Sequence, residues 1–185
     1  QDDEVLEHRL TVLILHQQIE LESEDESDKY QAAVSSRRMT FFDVKLEKRA
    51  WTTDKVNYAE AQVIARLVVA AYNDRKSKGR EFSPDLTIGV IVPYRNQIVA
   101  VRNALESFEM PELLDITIDT VERYQGSQRD IIIYGTTIKK KYQLDFLTGN
   151  SFVEGESVID RKLNVAITRA REHLILVGNE HLLAS

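Results

Sequence analysis

Three segments of this chain hold residue types that could do chemistry. Thr120–Asp130, reading TVERYQGSQRD, packs Gln125, Gly126, Gln128, Arg129 and Asp130 into a tight span between two apolar runs. Gly126 permits a positive φ or a close approach of a ligand to the backbone. Gln125 and Gln128 each offer donors and acceptors together. For an isolated Gln-Gly, a polar surface turn is the simpler account. Leu163–Asn179, reading LNVAITRAREHLILVGN, carries Arg169 and Arg171. A guanidinium suits phosphate, because its planar, permanently charged fork bonds bidentately. On a helix of 3.6 residues per turn, two such residues project roughly 200° apart, so only one can face a given ligand. From spacing alone, two arginines on a solvated face explain the pattern more simply. Ile88–Gln97, reading IGVIVPYRNQ, ends a strand at Pro93 and opens a helix, whose first amides favour phosphate. Tyr94 could stack on a base and Arg95 could meet a backbone phosphate. Pro93 as punctuation and Tyr94 as a cap on the core fit equally well.

Other chemistries find no support. The sequence has no G-x-x-x-x-G-K-S/T loop, so it cannot alone cradle a triphosphate and its magnesium. His8, His16, His173 and His181 are scattered without metal-ligand spacing, and there is no cysteine for a disulfide or a thiolate zinc site. No metal ligand is assigned. A G-x-S-x-G elbow is missing. Asp43, Asp119 and Asp130 fall at or near strands, but nothing pairs two of them as a metal-ion nuclease site.

The elements that must position these segments alternate. Phe41, Phe42, Val44 and Leu46 predict a first strand. Asn57–Lys76 predicts a helix, with Asn57 as N-cap and Glu60 completing a capping box. Its apolar stripe is Ile64, Leu67, Val68, Ala71 and Tyr72. Leu86–Val92 is continuously apolar, as in a strand covered on both faces. Tyr94–Phe108 predicts a second helix. Ile116 and Ile118 mark a short strand and Ile131–Tyr134 a buried one. Asp160–Glu172 predicts a third helix, seated by Leu163, Ala166, Ile167 and Ala170, and Leu174–Val177 a last strand. Repeated strand–helix units argue for an α/β fold, a mostly parallel sheet with helices on both faces. Ligands of such sheets gather beyond the carboxyl ends of the strands, which points to Pro93–Gln97, Thr120–Asp130 and the loop after Gly135.

At 185 residues the chain is the size of one domain, and its start at Gln1 reads as a cut from a longer protein. A hydrophobic fraction of 43% and a charged fraction of 29% are those of a soluble globular protein. No apolar run approaches the ~20 residues that span a bilayer, and the chain opens on acids, so a cytoplasmic location without membrane contact is expected. The net charge of -6 runs against nucleic-acid binding, but ten acidic and two basic residues lie before Gln31. The remainder holds 20 acidic and 22 basic residues and is close to neutral, which leaves local contacts with phosphate open. Residues 1–38 are therefore assigned to an acidic N-terminal segment. It contains an apolar patch over Leu10–Leu15 and an acidic run over Glu20–Asp28. Residues 39–185 form the domain.

Taken in order, the three segments resemble the C-terminal motor half of superfamily 1 helicases. The likeness is to the branch containing senataxin and the nonsense-mediated-decay helicase. TVERYQGSQRD is similar to that branch's motif V, LNVAITRAREHLILVGN to its motif VI, and IGVIVPYRNQ to the strand and Pro-Tyr-x-x-Gln turn before them. Asn57–Ala61 is similar to an Asn-x-x-Glu-Ala helix start. The likeness covers roughly Phe41 to Asn179.

The resemblance implies a RecA-like, P-loop-NTPase-type fold, as the second helicase domain that lacks a phosphate loop. ATP and Mg²⁺ would be held mainly by an N-terminal RecA-like domain of the same protein, with single-stranded DNA or RNA as the other partner. This domain alone would not hydrolyse ATP. By position, Arg169 would be the arginine that reaches the γ-phosphate. Gln128 would stand beside the ribose where many relatives carry Glu, with Gln125 and Gly126 shaping that turn. Thr120, Pro93 and Tyr94 would lie along the nucleic-acid backbone, while Thr168 and Arg171 would tie motif VI to its neighbours. Two departures stand out: the family's Tyr-Arg-Met-His-Pro segment is missing, and the segment Lys139–Ser157 is long and opens on three lysines. A basic strand-guiding loop and a surface insertion both fit that segment. Two other functions remain compatible with these residues. One is a non-catalytic nucleic-acid-binding module on the same fold, and the other a protein-interaction domain using the acidic N-terminus.

Overall fold

Continuous β-branched runs form strands where both faces are covered, and here they build a sheet of five. The computed structural model describes residues 26–35, 39–45, 55–124, 127–138 and 165–183. The strands are β1 (Met39–Asp43), β2 (Ile88–Ile91), β3 (Thr117–Asp119), β4 (Arg129–Gly135) and β5 (Ala170–Gly178). Their order is β1-β5-β4-β2-β3 and every pairing is parallel. This is the α/β, parallel arrangement expected from the strand–helix alternation, and it agrees with the RecA-like fold that the resemblance implies. Leu10–Leu15, most of the acidic run, residues 139–164 and the pair Gln125-Gly126 lie outside the described residues.

Period-two alternation divides the core between the two faces of the sheet. Val90, Ile133, Ile175 and Val177 point to a layer made by α1 (Glu26–Ser35), α2 (Tyr58–Ser77) and α3 (Arg95–Glu106). Ile91, Ile132 and Leu174 point the other way, onto Val121 and Tyr124 of a 3-10 turn and Ala166 of a helical turn over 165–169. A last short helix, α4 (Glu180–Leu183), brings Leu182 to Phe41 and Leu176. The α2 stripe is as expected: Ile64, Leu67, Val68 and Ala71 are fully buried. Burying each of the larger side chains contributes about 1.5–3 kcal/mol. Helix α1, within the acidic segment, buries Ala33 and Val34 and stacks Tyr30 on Phe42 at 5.0 Å. No helix among the described residues is long and apolar enough to cross a membrane.

Three local expectations are corrected. The helix expected to run to Glu172 stops at 169, and strand β5 begins at Ala170. Ala, Arg and Glu are good helix formers, yet the ladder against β4, with Arg129 opposite Ala170 and Ile131 opposite His173, overrides that preference. The second helix begins at Arg95, with Tyr94 as its extended N-cap residue. The capping box at α2 is only half formed. Asn57 Oδ1 accepts from the Glu60 amide at 3.1 Å, but the Glu60 carboxyl turns away from the cap and binds the Thr137 amide at 2.7 Å.

Candidate functional site

Motifs V and VI meet at the amino ends of β4 and β5. Because Arg129 stands opposite Ala170, the residues just before them, Gln128 and Arg169, begin neighbouring strands. The Gln128 Nε2 donates to the Thr168 carbonyl at 3.2 Å and ties the two segments together. Gln128 is exposed, and Arg169 is half-buried rather than sealed in the core. The Arg169 Nε is buried without a hydrogen-bond partner, and among the described residues no carboxylate pairs with its guanidinium. Gln125 and Gly126 lie outside the described residues. The expectation that all ligand-facing stretches gather at the carboxyl ends is therefore corrected. After Thr120 the chain returns beneath the sheet, so Gln128 emerges at the opposite edge.

Arg171 is not on a helix face. It sits on β5, where its Nε donates to Asp130 at 2.9 Å and its Nη2 to the Leu86 carbonyl at 3.1 Å. Asp130 also meets Arg75 at 3.2 Å, and Arg75 reaches Glu172 at 2.9 Å. Arg80 adds a second guanidinium to Glu172, at 2.6 Å. Arg80 and Arg75 together hold the Glu172 carboxyl below the usual carboxylate range. Arg75 is 4% exposed, so its charge is compensated within the protein rather than by water. The network welds the end of α2 to the starts of β4 and β5, immediately beside Arg169. Arg171 thus ties motif VI to its neighbours by contacts within the domain.

Beneath motif V, Arg129 is nearly buried and lies over the Tyr124 ring, 5.6 Å from its centroid. Its Nη1 donates to Ser127 Oγ at 2.6 Å and to the Gln128 carbonyl at 2.9 Å, and its Nη2 to Thr117 Oγ1 at 3.1 Å. The Tyr124 hydroxyl donates to the Thr117 carbonyl. Both side chains cross Gly89, where an added Cβ would lie 2.6 Å from Tyr124 Oη and 2.9 Å from Arg129 Cγ. Moving Arg129 would disturb its bonds to Ser127 and Gln128, and moving the Tyr124 hydroxyl its bond to Thr117. Gly89→Ala should therefore cost about 1–3 kcal/mol as an overpacked site, read as a lower urea midpoint with an unchanged m-value. A midpoint equal to wild type would show that this packing does not constrain the turn.

The remaining nominated residues lie at the opposite edge. Ile91 of β2 is paired with Asp119 of β3, and the Val92 amide donates to the Asp119 carbonyl at 3.1 Å. Pro93 and Tyr94 on one chain segment and Thr120 on the other thus leave neighbouring strand ends side by side, each half-buried. A seven-residue β4 separates this edge from Gln128 and Arg169 by about 20 Å. The nominated residues that the structure describes form two groups at opposite edges of one sheet.

Residues 11–181 match the family profile described as AAA domain. The chain belongs to that family. The AAA domain is 33% identical over 144 residues to helicase sen1 of Schizosaccharomyces pombe, covering 75% of this chain and 8% of that protein. It is 35% identical over 101 residues to the DNA polymerase alpha-associated DNA helicase A of Saccharomyces cerevisiae, covering 54% and 13%. It is 35% identical over 96 residues to the RNA helicase Mov10l1 of Homo sapiens, covering 52% and 7%. The chain spans 13% or less of the length of these three relatives. The AAA domain thus shares its sequence pattern with proteins named as helicases.

Several residues of this AAA domain that shape the two edges were given no role from the sequence: Arg75, Arg80, Tyr124, Glu172 and Gln97. The signal for Gln97 was present in the Pro-Tyr-x-x-Gln turn. Nothing in the sequence shows that Arg75 and Glu172, 97 positions apart, form a pair.

Proposed function

We propose that the domain is the second RecA-like half of an ATP-driven helicase, closing a nucleotide site whose phosphate loop and magnesium ligands belong to the first half. Arg169 places its guanidinium at the γ-phosphate, where it offsets charge that develops as the phosphoryl group transfers. Gln128 accepts a hydrogen bond from the ribose, and Gln125 and Gly126 set the path of the backbone around it. Pro93, Tyr94 and Thr120 line the track of a single nucleic-acid strand at the far edge. The observation that carries this reading is the Gln128–Thr168 hydrogen bond, which brings motif V against the turn bearing a guanidinium with no carboxylate partner among the described residues. The fit with a triphosphate rests on the buried, unpartnered Nε of that arginine, a donor group left for a ligand. The relatives named for DNA and for RNA make either nucleic acid the substrate class.

The test uses the longer protein that contains this domain, assayed for ATP hydrolysis with and without single-stranded DNA or RNA, beside the isolated 185-residue chain. Turnover should be confined to the longer protein and rise on adding strand, with displacement of a paired strand dependent on ATP. A longer protein that binds strand without hydrolysing ATP would establish the non-catalytic module instead.

A further inference from the structure

At the carboxyl edge of the sheet three polar side chains are sealed away from water. Glu60 and Gln97 are 0% exposed and Asn57 is 7% exposed. Gln97 grips the backbone of Asn57 from both sides: its Oε1 accepts from the Asn57 amide at 2.9 Å and its Nε2 donates to the Asn57 carbonyl at 2.9 Å. The side chain of Asn57 caps Glu60 and donates to the Ile138 carbonyl at 3.5 Å. The Glu60 carboxyl binds the Thr137 amide, with Thr136 Oγ1 3.5 Å from its other oxygen. Gly135 makes this possible, since a Cβ there would lie 2.7 Å from Glu60 Oε1. One continuous set of bonds therefore joins the first turn of α3, the start of α2 and the segment by which the chain leaves β4.

That arrangement is costly. A buried carboxyl loses its hydration, and well-packed apolar residues would fill the same space at less cost. Thr137 is also held at φ 61, a left-handed conformation that a β-branched residue rarely adopts. Strain of this kind persists only where the surroundings over-determine it. Here the Glu60 hydrogen bond to Thr137 supplies the restraint. What the network specifies is the spacing between the Pro93-Tyr94 turn and the 136–138 segment.

We propose that Glu60, Gln97 and Thr137 are positioning residues for the nucleic-acid track, holding the Pro93-Tyr94 turn and the exit of β4 in one fixed relation so that a strand is gripped without reordering either. This inference rests on the helicase reading above and adds to it residues that touch no ligand. Grip then depends on the network's geometry, and the nucleotide site at the other edge does not.

The experiment measures ATP hydrolysis by the longer protein as single-stranded oligonucleotide is titrated, together with a thermal melt. Gln97→Leu should raise the half-saturating strand concentration about tenfold, leaving strand-independent turnover unchanged. Thr137→Gly, which releases the left-handed strain and cannot fail through it, should melt at or above the wild-type temperature yet also need more strand. Glu60→Gln keeps the hydrogen-bond geometry and should match wild type in the strand concentration it needs. Half-saturation unchanged in Thr137→Gly and Gln97→Leu would overturn the inference. So would an equal fall in turnover with and without strand. Wild-type protein that hydrolyses no ATP on adding strand would overturn the helicase reading, and this one with it. A responsive wild type with indifferent variants removes only the positioning role.

Discussion

Arg169→Ala in the longer protein is expected to lower ATP turnover by about 10³–10⁵-fold while leaving fold and strand binding intact. The magnitude follows from where the charge acts: a guanidinium aimed at the transferring phosphoryl group stabilises the transition state far more than the ground state. The separation from folding follows from its surroundings. Arg169 has no carboxylate partner among the described residues, so its removal strands no buried charge and should shift stability by less than about 1 kcal/mol. Arg171 provides the contrast on the same segment. Its removal breaks contacts with Asp130 and Leu86 and should lower the melting temperature first. Arg169→Lys keeps a point charge without the bidentate fork and should fall between wild type and alanine. Steady-state hydrolysis, melting and strand binding on all three variants separate these effects. Unchanged turnover in Arg169→Ala would take Arg169 out of the mechanism.

The sheet was legible in the sequence because its strands advertise themselves. Ile88–Ile91 and Ile131–Ile133 are runs of buried, mostly β-branched residues, which few other structures accommodate. Helix α2 was equally plain from its stripe and its Asn57 cap. The last helix was over-extended because Ala170, Arg171 and Glu172 suit a helix locally, and only pairing with β4 makes them strand. That error misplaced Arg171, which stands on a strand rather than a helix face, while its contacts with Asp130 and Leu86 still tie the segment to its neighbours. The same limit explains the two edges. The motifs named the residues, but which edge each occupies depends on the return of the chain beneath the sheet after Thr120. A capping box was expected at Asn57 and Glu60 because that pair is local. Its replacement by the distant partners Gln97 and Thr137 depends on contacts that sequence spacing does not express.

That replacement leads to the second large effect, on stability. Burial pushes the Glu60 carboxyl up to about 8 from an ordinary value of 4.5, against the opposing hydrogen bonds from Thr137 and Thr136. Below pH 4.5 the group is protonated whether the chain is folded or not, and it contributes no pH dependence. Between 4.5 and about 8 the unfolded chain releases this proton and the folded chain keeps it, so stability falls as pH rises. Above that window both states are ionised and the effect levels off. Tyr134, an ionisable group that feels Glu60, is pushed upward chiefly by its own burial and stays neutral throughout. Glu60→Gln has no proton to lose, and its amide oxygen can still accept from Thr137. Near pH 7.5 the variant should therefore be more stable than wild type by about 4 kcal/mol. The difference between the two should vanish on going down to pH 4.5, because every other titrating group cancels in the comparison. Urea unfolding of both proteins across this range measures it. A difference that stays constant with pH, or a variant that is weaker throughout, would mean that Glu60 folds as a carboxylate. The polar network would then hold a charge, and the geometry at the exit of β4 would owe its rigidity to ionic rather than neutral hydrogen bonds.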